Sequence, residues 1–154
     1  MVVTFDFDNT LTRVQFDPDD GCFSKPAGPN LVMVQCVVAH LKNGNEVHVV
    51  TSRHETDDSV NEVNGFLIAH GIHDVTSVHF TNGALKAGCL HNLKSSRHFD
   101  DDRVELDNLP SGCEGIFVPT GWLDENGDVC NPDDPRFHFD NWENVVTFPS
   151  HNVD

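Results

Sequence analysis

Residues 1–11 read MVVTFDFDNTL and carry the clearest structural signal in the chain. The apolar, β-prone run Val2–Phe5 stops abruptly at the polar residues Asp6, Asp8 and Asn9. A strand buried in a parallel sheet is a continuous apolar run of this kind, and it ends in polar residues where it reaches the edge. The stretch therefore predicts a buried first strand that delivers two carboxylates to one rim of a sheet.

Helical and strand patterns alternate along the next hundred residues. Helices are predicted over residues 31–42, 57–70 and 83–93, and strands over residues 47–50, 75–80, 97–99 and 115–118. Such alternation with short connections is typical of βαβ units. We therefore predict an α/β, three-layer, Rossmann-like fold with a central parallel sheet. The length of 154 residues fits a single domain, with a core over 1–118 and a C-terminal extension over 119–154.

Two segments fall outside this alternation. Residues 13–30 are rich in Pro and Gly in their second half and are predicted to form a loop. The Asn126-Gly127 pair between Leu123 and Val129 predicts a β-hairpin in the extension. The apolar residues near the end of the chain are expected to pack back on the sheet; they are Phe137, Phe139, Trp142, Val145, Val146 and Phe148.

The charge balance argues against several classes of partner. Nine Lys and Arg face 25 Asp and Glu, for a net charge of −16 at pH 7. Extended binding to a nucleic-acid backbone or to an anionic membrane is disfavoured, because both are polyanions. The sequence has neither a transmembrane-length apolar run nor a signal-peptide pattern, so we expect a cytoplasmic protein without membrane contact. Five cysteines without a CxxC pair predict reduced thiols.

Polar groups follow the predicted strands. In chain order they are Asp6, Asp8, Thr51, Ser52, Lys86, Asp100, Asp101 and Asp102. Because the carboxyl ends of parallel strands meet at one edge of a sheet, these groups are expected to converge. Crowded carboxylates repel one another unless a cation lies between them, and oxygen-only ligands favour Mg²⁺. A metal, a lysine and a hydroxyl together suit a phosphate group.

In order and spacing, these groups resemble the four motifs of the haloacid dehalogenase (HAD) superfamily phosphatases. The DFDNTL of residues 6–11 resembles the first motif, and Thr51, Lys86 and Asp100-Asp101 resemble the second, third and fourth. The resemblance covers residues 1–118. The compact arrangement of the motifs is similar to that of phage-type polynucleotide 3′-phosphatase domains. It implies a HAD fold and a Mg²⁺-dependent phosphomonoester hydrolase that works through an aspartyl-phosphate intermediate.

The resemblance also implies a role for each matched residue. Asp6 would be the nucleophile and Asp8 the general acid and base. Thr51 would hydrogen-bond a phosphoryl oxygen, and Lys86 would neutralise charge on the nucleophile and the transferred group. The implied metal ligands are Asp6, the main-chain oxygen of Asp8, and Asp101 with Asp100 assisting. The implied substrate-binding residues are Asn9, Thr10, Ser52 and Arg53.

Two motif assignments leave an alternative. Lys94 also lies between the second and fourth motifs, but at the far end of the same helix, about 12 Å from the rim at 1.5 Å per residue. The three consecutive aspartates leave their register open, since Asp102 with Asp107 would fit a longer form of the fourth motif.

The segments between the motifs are too short for a cap domain. By family analogy, a capless member leaves its site open to larger substrates or takes a lid from a second subunit, which would make it a homo-oligomer. The expected substrate is a phosphorylated small molecule, a nucleotide or a nucleic-acid end, although the net charge opposes the last. The alternative is a catalytically inactive HAD-like module that binds phosphate or protein.

Overall fold

The computed structural model describes residues 1–130. Within this range there are seven strands and four α-helices. In chain order they are β1 (Val2–Phe5), β2 (Thr12–Asp17), β3 (Cys22–Pro29), α1 (Leu31–Lys42), β4 (Glu46–Thr51), α2 (Asp57–Ala69), β5 (Thr76–Phe80), α3 (Ala87–Leu93), β6 (Arg97–Asp100), α4 (Arg103–Leu106) and β7 (Glu114–Phe117). A short 3-10 helix (His73–Val75) precedes β5.

Five of these strands form one parallel sheet in the order β5-β4-β1-β6-β7, with helices packed against it. The chain builds outward from β1 through β4 to β5, and then returns to the other side of β1 for β6 and β7. The predicted α/β fold with a central parallel sheet is therefore confirmed. In such sheets the ligand crevice lies at the carboxyl ends of the strands where the order reverses, which here is the end of β1.

The apolar core fixes the position of β1. Val3 and Phe5 are fully buried, and Phe5 stacks on Phe99 of β6 with ring centroids 4.6 Å apart. Helices α1 and α2 contribute Met33, Val37, Val63 and Leu67 to the same core. Because side chains alternate along a strand, Thr4 faces the opposite side of the sheet from Val3 and Phe5. The strand thus anchors the core with one face and leaves the other to polar groups.

The prediction of a loop over residues 13–30 is wrong. This segment forms the antiparallel hairpin of β2 and β3, whose turn closes with Gly21 N–H donating to Asp17 O at 2.8 Å. Pro26 and Pro29 lie on β3, in a two-stranded sheet whose register shifts twice. Strands with a free edge and irregular pairing tolerate proline, because its missing N–H is not needed there. Proline and glycine content therefore could not separate a hairpin from a loop.

The other predicted elements are present with small changes. Most ends differ from the prediction by no more than one residue, but α3 begins at Ala87 rather than at residue 83. Asn82 and Gly83 have φ values of 55° and 84° and form a turn before it. Helix α4 was not predicted, since its four residues are too few to show a helical period.

The predicted turn at Asn126-Gly127 is present. Leu123 and Val129 pair as an antiparallel bridge, and Asp124 N–H donates to Asp128 O at 2.7 Å. Leu123 also bridges to Gln15, which ties this turn to the β2–β3 hairpin. The predicted packing of the apolar end of the chain lies outside the described residues.

All five cysteines are free thiols, as predicted.

No helix in residues 1–130 has the length and apolar character that a membrane span requires.

Candidate active site

Buried ionisable groups meet at the carboxyl ends of β1 and β6. Asp6, Asp100 and Asp101 each offer a carboxylate oxygen, and these atoms lie within 4.8 Å of one another. The Lys86 Nζ lies 2.7 Å from Asp6 Oδ1 and 2.7 Å from Asp100 Oδ2. We call Asp6, Lys86, Asp100 and Asp101 the buried cluster. The structure thus brings together the predicted residues of the first, third and fourth motifs.

Helix α3 delivers the lysine of this cluster. Lys86 immediately precedes α3 and is only 2% exposed, and its backbone N–H donates to the buried Glu105 Oε1 at 2.9 Å. Lys94 lies at the other end of the same helix, where it is exposed. Of the two lysines left open by the sequence, Lys86 is the one that reaches the cluster.

Hydrogen bonding separates the consecutive aspartates. Asp100 accepts from Lys86 and His98 at Oδ2 and from the Asp102 N–H at Oδ1, so both of its oxygens are engaged. Asp102 caps helix α4 by accepting from the Val104 N–H at 2.9 Å. Asp107 is exposed at the far end of α4. The structure therefore groups Asp100 and Asp101, rather than Asp102 and Asp107, with Asp6.

Asp101 retains acceptor capacity that Asp100 has used. Its hydrogen bonds from Asn9 Nδ2 and Thr10 Oγ1 are both long, at 3.4 Å. Thr10 is fully buried and also donates to Asp6 Oδ2 at 3.0 Å, so it bridges two carboxylates. Thr10, predicted to bind substrate, is therefore placed where it orients the buried cluster.

Burial and crowding perturb the cluster electrostatically. Burial, reinforced by the charge of Asp100, raises the pKa of Asp6 to about 7. Burial and the charges of Asp6 and Asp100 hold the pKa of Asp101 well above its usual range. Burial works to raise the pKa of Asp100, but Lys86 and His98 outweigh it and lower that pKa. Burial works to lower the pKa of Lys86, but Asp100 and Asp6 outweigh it and raise that pKa.

The buried cluster could hold a metal ion. When all its groups are ionised, three carboxylates and one ammonium leave a surplus of two negative charges in a buried place. The Oδ1 atom of Asn9 is also buried and has no hydrogen-bond partner within residues 1–130. Asn9 is held beside Asp101 by a left-handed backbone with φ of 57°. An oxygen-only donor set with surplus negative charge fits a hard divalent cation.

A second set of charges lies on the β4 side of β1. The Arg53 guanidinium donates to both oxygens of Asp8, at 2.8 and 2.7 Å, and to Glu62 at 3.0 Å. The hydrogen bond with Asp8 raises the pKa of Arg53, and the hydrogen bond with Arg53 lowers the pKa of Glu62. We call Asp8, Arg53 and Glu62 the open group, because their side chains are 22–52% exposed.

The second-motif residue lies beneath the open group. Thr51 is almost fully buried, and its Oγ1 accepts from the Arg53 N–H at 3.2 Å. Ser52 and Arg53 line the cavity instead, together with Asn9. Thr51 therefore stabilises the turn that carries the predicted substrate-binding residues.

One cavity of about 510 Å³ joins the buried cluster to the open group. Its lining also includes an apolar wall formed by Val14, Phe23, Pro26 and Trp122, with the polar residues Thr12, Arg13 and Ser24 beside it. Phe23 contacts Trp122 edge-to-face with ring centroids 5.1 Å apart. Sequence reasoning missed this wall because it placed residues 13–30 in a loop. The alternation of Thr12, Val14 and Phe16 with polar residues was the signal that could have found it.

Comparisons with protein-family models, with curated proteins and with solved structures find no match for this chain.

Proposed function

We propose that this chain is a cytoplasmic, Mg²⁺-dependent phosphomonoester hydrolase of the HAD type, which works through an aspartyl-phosphate on Asp6. One observation carries the proposal: the Asp6 carboxylate lies in the cavity, 2.7 Å from the Lys86 ammonium and within reach of Asp101. A carboxylate nucleophile, a fixed cation and a further oxygen donor in one cavity are what phosphoryl transfer needs.

Asp6 is the nucleophile of the proposed reaction. Its Oδ1 is held by Lys86 and its Oδ2 by Thr10, so the carboxylate is oriented before substrate binds. A carboxylate oxygen attacks phosphorus in line, the bond from phosphorus to the ester oxygen breaks, and an aspartyl-phosphate forms. Lys86 favours the ionised form of Asp6 and stabilises the negative charge that develops on the transferred group.

Asp8 is the general acid and base. Its carboxyl protonates the departing ester oxygen and then accepts a proton from the water that attacks the aspartyl-phosphate, which releases phosphate and restores Asp6. In the structure the Arg53 guanidinium donates to both oxygens of Asp8. A phosphate group competes for the same guanidinium, because it also accepts bidentate hydrogen bonds. Substrate binding would therefore release the Asp8 carboxyl from this pair, so that it can face the ester oxygen.

Asp6, Asp101 and the main-chain oxygen of Asp8 are the groups that would hold Mg²⁺, with Asn9 Oδ1 beside them. When bound, the ion would neutralise negative charge on the carboxylates and on the phosphoryl oxygens. Both oxygens of Asp100 already accept hydrogen bonds, so in the proposed site Asp100 assists the other ligands and mainly holds Lys86.

The apolar wall receives the organic part of the ester. Phe23, Pro26 and Trp122 face the same cavity as Asp6, so a phosphomonoester with an apolar or flat group fits between them. The net charge of −16 disfavours a long polyanion. The proposed substrates are therefore small phosphomonoesters, with nucleotides and nucleic-acid ends as candidates.

Phosphate release from p-nitrophenyl phosphate and a panel of nucleotides, with and without Mg²⁺, tests the proposal. We expect Mg²⁺-dependent release that Asp6→Asn abolishes, while Asp74→Asn, at an exposed carboxylate outside the cavity, keeps full activity. Full activity in Asp6→Asn would refute the assignment. Phosphate binding without turnover of any ester would favour the inactive binding module.

A further inference from the structure

A row of buried polar side chains runs from the interior of the sheet to Asp6. The Thr4 Oγ1 lies 2.8 Å from His98 Nδ1, and His98 Nε2 lies 2.8 Å from Asp100 Oδ2. The same oxygen of Asp100 accepts from Lys86, which also donates to Asp6. We call Thr4, His98, Asp100 and Lys86 the polar row. Every one of its members is at most 2% exposed.

Strand register explains how the row forms. Thr4 of β1 pairs with His98 of β6, and alternate residues of a strand face the same side, so His98 and Asp100 point the same way. Thr4 and His98 occupy core positions, and a buried polar group is costly unless it is hydrogen-bonded. Both ring nitrogens of His98 are bonded, one toward Thr4 and one toward the buried cluster. The ring therefore connects two groups rather than only filling space.

The partners of His98 set the direction of its hydrogen bonds. Asp100 is an ionised carboxylate beside Lys86 and can only accept, so the proton lies on Nε2. With the proton on Nε2 of a neutral ring, Nδ1 is an acceptor for the Thr4 hydroxyl 2.8 Å away. The same hydroxyl also lies 2.8 Å from Ser95 Oγ and 3.2 Å from the Arg97 carbonyl oxygen, so Thr4 is itself held in place beside the imidazole that it orients.

We propose that His98, oriented by Thr4, is a positioning residue of the phosphatase reaction: it fixes the Asp100 carboxylate that holds Lys86 against Asp6. This inference rests on the proposed function. His98 lines no part of the cavity and is fully buried, so it does not touch substrate. Losing its N–H removes one of the two donors on Asp100 Oδ2 and lets Lys86 shift away from Asp6. The loss acts on kcat, because substrate binding is left intact.

Two pairs of variants test this role. His98→Leu removes the donor, whereas His98→Gln keeps an N–H that can reach Asp100. We expect His98→Leu to lower kcat about 10- to 100-fold, with little change in KM. This is the usual range for residues that orient the reacting groups through a hydrogen bond. His98→Gln recovers most of that loss. Thr4→Val lowers kcat by a smaller factor, and Thr4→Ser restores it.

The neighbouring strand supplies a matched control. His48 of β4 pairs with Thr4 on the other side of β1, and its ring is bonded to Glu46 and His79, away from the buried cluster. His48→Leu and His48→Gln are expected to leave kcat unchanged. Long-range ¹H–¹⁵N spectra of the imidazole should show a proton on Nε2 of His98 in the wild type and a changed Nδ1 signal in Thr4→Val.

The outcomes separate this inference from the proposed function. If no ester is hydrolysed in an Asp6-dependent way, the proposed function and the role of His98 both fail. If Asp6-dependent hydrolysis is present but His98→Leu has the wild-type kcat, the inference alone is overturned. Equal losses in His98→Leu and His98→Gln would also overturn it, because packing rather than hydrogen bonding would then be at work. If His98→Leu does not fold, the Thr4 pair and the spectra decide the matter.

Discussion

The buried cluster and the open group lie on opposite sides of β1, and both pair carboxylates with a basic side chain. The two regions differ in how far water reaches these charges. Asp6 and Asp8 are two residues apart in sequence, yet Asp6 lies buried beside Lys86, whereas Asp8 lies half-exposed beside Arg53. Burial raises the pKa of Asp6 to about 7, while the carboxylate of Asp8 is held by a guanidinium that water can also reach. The difference divides the proposed chemistry: nucleophile and metal on one side, acid–base chemistry on the other.

The two regions should respond differently to mutation. Removing one partner of a buried ion pair leaves an uncompensated charge and costs about 3–5 kcal/mol. Exposed ion pairs contribute about 0–1 kcal/mol, because water and salt screen them. Changes in the buried cluster should therefore alter both stability and activity, and changes in the open group should alter mainly activity.

Lys86→Met should have the largest effect. It leaves Asp6 and Asp100 without their shared cation, so we expect the free energy of unfolding to fall by about 3–5 kcal/mol and phosphatase activity to disappear. Urea unfolding measures the first effect and phosphate release the second. Lys94→Met on the same helix is the control and should change the unfolding free energy by less than about 0.5 kcal/mol. Equal effects of the two variants would remove the distinction between buried and exposed charges.

Asp101→Asn should abolish the response to Mg²⁺. Asp101 is the carboxylate of the cluster with free acceptor capacity, so its loss should remove the rise in Tm that Mg²⁺ causes and lower kcat at least about a hundredfold. Asp102→Asn is the control, because Asp102 caps α4 and asparagine caps a helix about as well, so this variant should change neither stability nor the Mg²⁺ response appreciably. A normal Mg²⁺ response in Asp101→Asn would contradict the assigned ligand.

The stabilisation by Mg²⁺ should grow with pH. The pKa of Asp6 in the folded protein, about 7, lies above its ordinary value of 3.8. Protonation of Asp6 thus contributes stability that is present below pH 3.8 and lost as the pH rises through about 7. A cation needs the ionised form, so we expect Mg²⁺ to raise Tm more at about pH 8 than at about pH 5.5. Thermal unfolding at both pH values checks this, and an equal Mg²⁺ shift at both would contradict it.

Arg53→Gln should have the smallest effect on stability. Arg53 is part of the open group, so its loss should change the unfolding free energy by less than about 1 kcal/mol. We expect KM for the phosphate ester to rise about tenfold, because one charge-assisted contact to the phosphoryl group is lost. Steady-state kinetics measure KM. Glu62→Gln is the control, because it changes the other acidic partner of Arg53 and keeps the guanidinium in place. A destabilisation as large as that of Lys86→Met would break the contrast.

The sequence could predict the placement of Asp6, which follows the end of a strand, and it favoured Lys86 over Lys94 because Lys86 lies near the start of a helix. An apolar run such as Val2–Phe5 can be recognised from its residues alone, and parallel strands bring their carboxyl ends together without further information. The register of Asp100 and Asp101 could not be settled in this way. Consecutive residues point in different directions, and only their partners, Lys86 and His98 for Asp100, separate them.

Two parts of the site needed the structure for a different reason. The β2–β3 hairpin could not be recognised in the sequence because of Pro26, Gly28 and Pro29. These residue types interrupt regular strands but are tolerated in an irregular two-stranded sheet. The role of His98 depends on its pairing with Thr4, more than ninety residues away in sequence. A sequence pattern shows alternation along one strand, but it does not show which residue lies opposite on the next.

Chemical trapping of the intermediate tests the central claim most directly. Borohydride reduces an aspartyl-phosphate to homoserine. The protein is therefore treated with borohydride during turnover of a phosphate ester, and the masses of its peptides are determined by mass spectrometry. We predict homoserine at position 6, present only with substrate and Mg²⁺ and absent in Asp6→Asn. Turnover with an unmodified Asp6, or homoserine at another position, would contradict the account.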